Sequence, residues 1–170
     1  INCRNGRVVN QQQVQVARKE DVLGAITQIA ARFRAAAGES LATVERYSTA
    51  LEEAATPSLE ALKAYSLAAK VRNAEGHLKA LPLYQRAVGI DPEFASAHAW
   101  LGRMYAGVGE FALGTESAEK AWRYRHRASD HERFYIDFSY YRQVKGDLQK
   151  CAQICEAWMQ SYPRDFQPHG

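Results

Sequence analysis

Along the second half of the chain, apolar positions recur at helical spacing, and small residues stand where a core helix usually carries Leu. In "HAWLGRMYAGVGEFALGTESAEKAW" the small positions are Gly102, Gly109, Gly114 and Ala118. A helix-interior glycine costs about 1 kcal/mol against alanine, so its recurrence calls for a packing reason. Upstream, "KEDVLGAITQIAARFRAAAG" reads as an amphipathic helix with a stripe of Val22, Ile26, Ile29, Ala30 and Phe33, ended by Gly38. Nearer the N-terminus, "INCRNGRVV" holds Asn5-Gly6, a hairpin signal. "VNQQQVQVA" alternates Val14 and Val16 with Gln13 and Gln15, the period of a strand with one apolar face. "ESLATVERYSTALEEAATPS" reads as a connector with one short helix.

The small residues fall into a repeat. Leu67 and Leu101 are 34 residues apart, and so are Ala68 and Gly102, Val71 and Tyr105, Ala80 and Gly114, and Ala87 and Ala121. A helix pair cannot bury its apolar face alone, and small side chains let helix axes approach within a pair and between pairs. A third copy follows with three extra residues in the connection. "SDHE" from Ser129 to Glu132 is a capping box at a helix start. Gly146-Asp147-Leu148 makes the turn, Cys151 and Cys155 take core positions, and Pro163 closes the unit. Phe138-Ser139 stands where Leu-Gly is expected, so this copy diverges. Thr56 is expected as the N-cap of the first unit, with Pro57 at its first helical position. Pro82 fits if its helix begins near Leu78, which places it in the first turn.

The period and these spaced residues resemble the tetratricopeptide repeat (TPR) family. The expected fold is mainly α: a TPR-type superhelix of about three helix pairs, with a short N-terminal β-hairpin and one preceding helix. Units are expected near 57–92, 93–126 and 129–163, within an array over 56–170. Residues 1–55 read as the remnant of an upstream α/β domain. The segment order also resembles the C-terminal region of large bacterial regulatory proteins, many of them serine/threonine protein kinases and some of them winged-helix transcription regulators. The resemblance implies a non-catalytic module that binds a protein or an extended peptide segment. It places the groove at Tyr65, Arg72, Asn73, Trp100, Arg103, Asp137, Tyr140 and Gln143, with Arg133 at the rim. Trp100 and Tyr140 are the expected apolar anchors, and Arg72 and Arg103 the expected carboxylate holders. The family's clamp for C-terminal carboxylates needs Lys and Asn where Tyr65 and Ala69 stand, so chaperone-tail binding is not expected.

Composition narrows the picture only slightly. Net charge is +3, from 22 Lys and Arg against 19 Asp and Glu. That balance does not by itself imply nucleic acid or membrane. Arg123, Arg125, Arg127, Arg133 and Arg142 lie among aromatics, a mixture that suits single-stranded nucleic acid. Basic residues at a helix end followed by a helix with core aromatics explain it more simply, and a nucleic-acid partner is not expected. The three cysteines, Cys3, Cys151 and Cys155, form no disulfide framework and no complete metal set. No kinase, P-loop, zinc-protease or serine-hydrolase motif occurs, so neither catalysis nor a cofactor is expected. The chain lacks an initiator Met and reads as a piece of a longer protein, cytoplasmic, with any membrane anchor carried elsewhere in the parent. The first strand is expected to offer an edge for a homodimer. The competing classes are a nucleic-acid-binding helical repeat and a structural spacer.

Overall fold

The computed structural model describes residues 11–18, 21–36, 55–163 and 165. They form α1 (Val22–Ala36), α2 (Leu59–Glu75), α3 (His77–Ile90), α4 (Ala95–Gly107), α5 (Phe111–Arg123), α6 (Asp130–Tyr140) and α7 (Leu148–Ser161). A 3-10 turn (Arg125–Arg127) precedes α6, and a π-helical turn (Tyr141–Lys145) follows it. Each helix from α3 onward packs on its predecessor, and α4 also touches α6. The architecture is therefore all-helical and repeat-like among the described residues.

The expected N-terminal β-hairpin is not supported. Residues 11–16 form no strand, and Val16 is exposed. Alternation marks a strand only where a neighbouring strand pairs with it. Asn5-Gly6 lies outside the described residues, and the homodimer expected through this segment has no described strand edge. The α1 stripe also needs correction. Leu23 and Ala25 are buried, whereas Ile26, Ala30 and Phe33 are exposed. Periodicity gives the helix, but its buried face depends on what covers it, and no described helix packs extensively on α1.

Helix α2 starts later than expected. Ser58 is its N-cap, and its side chain accepts the Ala61 N–H at 3.2 Å. Thr56 is fully buried and donates to Asp91 Oδ2 at 2.6 Å, tying the entry of α2 to the exit of α3. Gly76 alone links α2 to α3, at φ 90°, where a side chain would be strained. Helix α3 begins at His77, so Pro82 lies in its second turn and removes one backbone hydrogen bond. Pro82 and Leu78 are both exposed, so solvent can reach the Leu78 carbonyl.

Most of the small residues lie at helix contacts; Gly109 does not, being exposed in the turn at φ 87° with open space around it. Ala68 and Ala80 are fully buried between α2 and α3. A Cβ on Gly102 would come 2.9 Å from the Gly114 carbonyl oxygen, and one on Gly114 would come 3.1 Å from that of Gly102. The α4/α5 pair thus meets backbone to backbone. Ala87 and Ala121 are also fully buried. The capping box forms as expected: Ser129 Oγ accepts from the Glu132 N–H, and Glu132 Oε2 accepts from the Ser129 N–H. Polar ties join successive pairs. Arg127 reaches Asp91 at 3.2 Å and Glu93 at 2.9 Å, and Ser96 donates to Glu132 at 2.7 Å. His131 meets Asp165, 34 positions on, at 2.6 Å.

Candidate functional site

The turn from α4 into α5 sets the position of the main cleft. Helix α4 ends at Gly107, and Gly109 at φ 87° reverses the chain into α5. A Cβ at Gly107 would come 2.5 Å from His77 Nδ1, so the glycine leaves room for the imidazole. Across from these residues, α6 presents Tyr135, Phe138 and Ser139, and the π-helical turn adds Arg142 and Gln143. Together with Arg103, Ala106, Phe111 and Thr115 they enclose a cleft of about 470 Å³. That falls within the usual range for small-molecule sites.

Cationic and neutral polar groups line this cleft. No Asp or Glu is among its described lining residues. Arg103 and Arg142 are exposed, and neither meets a carboxylate among the described residues. The Tyr135 hydroxyl and Gln143 Oε1 are buried and close no hydrogen bond of good geometry. Burial pushes the Tyr135 phenol above its ordinary range, and Arg103 and Ser139 pull it back.

The nine residues expected in the groove separate into different environments. Arg103 and Gln143 line the cleft. Arg72 and Trp100 belong to a stack: the guanidinium lies 3.5 Å from the indole centroid, and Tyr135 covers the other side at 4.4 Å. Arg72 also donates to Tyr84 Oη at 3.1 Å and to Asn73 Oδ1 at 3.2 Å. It is engaged within the fold. Burial pushes the Tyr84 phenol up to about 12, against the pull of Arg72. Tyr65 packs among Tyr84 and Phe94, and burial drives its phenol far above the ordinary range. Tyr65 and Trp100 instead border a smaller pocket of about 140 Å³ with Ser96, His131 and Ile136. Tyr140 stacks on Trp122 at 4.3 Å. Arg133 donates to the carbonyls of Arg125 and His126 and to Asp130, bracing the 3-10 turn. Asp137 is half-buried with Oδ1 unpartnered, and desolvation raises its pKa.

The arginine-rich segment is likewise dispersed. Arg127 pairs with Asp91 and Glu93, and Arg125 lies over Trp122 and donates to its carbonyl. Only Arg142 of this group reaches the cleft. Cys151 is buried and Cys155 half-buried, and burial pushes both thiols up, away from the reactive thiolate. No group of three His, Cys, Asp or Glu side chains suited to a metal occurs among the described residues. No described helix is long and apolar enough to cross a membrane.

His77, Arg142, Tyr135 and the two phenylalanines of the cleft escape a reading based on one helix face, because they come from four different elements. One sequence signal was available: Arg142 already belongs to the arginine-rich run. No protein-family model matches the chain, and no curated protein matches it.

Proposed function

We propose that this chain is a non-catalytic protein-interaction module of the tetratricopeptide type, within a larger bacterial regulatory protein that carries a serine/threonine kinase domain. One observation carries the interaction reading. Packed helix pairs at a 34-residue offset leave a cleft with two arginines that meet no carboxylate among the described residues. Elsewhere arginines are taken up by the fold, Arg127 by Asp91 and Arg72 by Trp100 and Tyr84. An extended partner segment with acidic and aromatic side chains complements the cleft. The stacked Trp100 contributes by holding Tyr135 in place, and Arg103 makes the direct contact.

Selection of displayed random peptides on the immobilised chain tests this reading. Selected peptides are expected to bind at least roughly fivefold more weakly to Arg103→Ala, about 1 kcal/mol. If no peptide is selected, the interaction reading is wrong and the chain is a spacer; if the selected peptides ignore Arg103→Ala, they bind elsewhere and the reading of this face is wrong.

A further inference from the structure

Arg103 and Arg142 line one cleft, neither with a carboxylate partner among the described residues, so a ligand bearing two negative charges complements both. The cleft has more than charge. Tyr135 is 9% exposed, and its buried hydroxyl closes no well-formed hydrogen bond, although Arg103 and Ser139 bear on it. A buried hydroxyl with no well-formed hydrogen bond is uncommon in folded proteins and retains capacity for a further partner. Phe111, 70% exposed, and Phe138 supply apolar wall beside these donors. The volume of about 470 Å³ exceeds what a lone oxyanion needs and leaves room for the group that carries it.

We propose that this cleft binds a phosphomonoester borne on an apolar or aromatic group, held by Arg103, Arg142 and Tyr135. The guanidinium groups match phosphate oxygens as charge-assisted donors. The Tyr135 hydroxyl donates to a third oxygen, and Phe111 and Phe138 cover the carrier group. A carboxylate, with one charge, would leave one arginine uncompensated. The phosphoryl group can be that of a small molecule or that of a phosphorylated side chain. The second source rests on the protein-interaction reading above; the chemistry of the cleft does not.

Calorimetric titration of the full chain with phenyl phosphate, benzoate and a glycine-flanked phosphotyrosine peptide tests the proposal. Phenyl phosphate is expected to saturate one site and to bind roughly tenfold or more tightly than benzoate. Arg142→Gln and Tyr135→Phe are each expected to weaken it at least roughly threefold, with Arg142→Lys recovering part of the loss. Urea midpoints check that the variants stay folded. No saturation, equal binding of benzoate, or indifference to Arg142→Gln overturns the site. A peptide that binds more tightly than phenyl phosphate identifies a protein ligand, and equal binding identifies a small molecule; both support the site. A chain that binds phenyl phosphate but selects no displayed peptide keeps the site and loses the interaction reading. The opposite result keeps the reading and removes the site.

Discussion

The α4/α5 pair and the α6/α7 pair meet the same packing demand with different residues. In α4/α5, Gly102 and Gly114 bring backbone against backbone, and a side chain at either position requires the facing backbone to shift. The corresponding positions of α6/α7 carry Ser139 and Cys151, both buried. Where Ala121 closes the earlier pair, Trp158 fills the later one at 2% exposure. The earlier pair is packed far more extensively along its length. The later pair carries the π-helical turn and several buried polar atoms without partners, on Tyr135, Asp137, Gln143 and Trp158. A glycine seam gives a sealed pair. A seam of larger residues gives a looser one, and the cleft lies where the two kinds of pair adjoin.

On that contrast, α6/α7 suffers most from lost volume and α4/α5 from added volume. Trp158 stacks on Phe134 at 5.9 Å and meets His131 edge-on at 5.7 Å. Trp158→Ala is expected to cost about 3–5 kcal/mol, through lost transfer energy and the cavity left behind. The smallest possible enlargement, Gly102→Ala, is expected to cost about 1–3 kcal/mol, because the new methyl meets a carbonyl oxygen and not a flexible side chain. Urea unfolding of both variants measures this. An unchanged midpoint for Gly102→Ala would break the description of α4/α5 as a backbone-close seam.

The same contrast explains what was legible in the sequence. The positions of Gly102, Gly114, Ala68 and Ala80 follow from self-similarity alone, because a fixed repeat forces the same contact to recur. The capping box was equally legible, since Ser129 and Glu132 satisfy each other within one turn. The start of α2 was not. Thr56 and Ser58 are both good caps, and the choice depends on Asp91, far along the chain, which claims Thr56. Nor was the role of Trp100 legible. A groove position on α4 becomes a packing position because Arg72 on α2 and Tyr135 on α6 close over its two faces. The stripe on α1 misled for the same reason: burial belongs to pairs of elements, and a pattern describes one.

Charge provides a finer comparison of the two pairs. His98 on α4 is buried, its Nε2 lies 2.8 Å from the Pro92 carbonyl, and Nδ1 has no partner. That geometry suits a neutral ring donating from Nε2. Burial lowers its pKa, with the Pro92 carbonyl acting in the opposite direction. Above the unfolded value of about 6.5 both states are neutral, and the ring adds no pH dependence. Below it the unfolded chain takes the proton first, so stability falls as pH drops towards the lowered folded value. Thermal melts between about pH 7 and pH 5 are expected to show this loss, and His98→Gln to flatten it, at a cost of about 1 kcal/mol at neutral pH from the lost hydrogen bond. A slope that persists unchanged in His98→Gln would assign the acid sensitivity to other groups.

Asp137, on the looser pair, works in the opposite direction and has the smallest expected effect. Desolvation raises its pKa, and Arg125, Arg133 and Lys150 only partly oppose the rise. One carboxylate oxygen is buried without a partner. A raised folded value means that the protonated acid is favoured in the fold. Its contribution is complete below the unfolded value of about 3.9 and is lost as pH rises through the folded one. At neutral pH the carboxylate is therefore a net burden on α6. Asp137→Asn keeps the shape, removes the charge and supplies donors of its own. The side chain is only half-buried, so solvent screening limits the expected gain to less than about 1 kcal/mol. The gain should appear as a higher melting temperature at pH 7 and shrink to nothing near pH 3, where the native acid is already neutral. If Asp137→Asn instead destabilises the chain at pH 7, the ionised carboxylate is a working partner of Arg125 or Arg133. The α6/α7 pair would then be better satisfied than the contrast with α4/α5 requires.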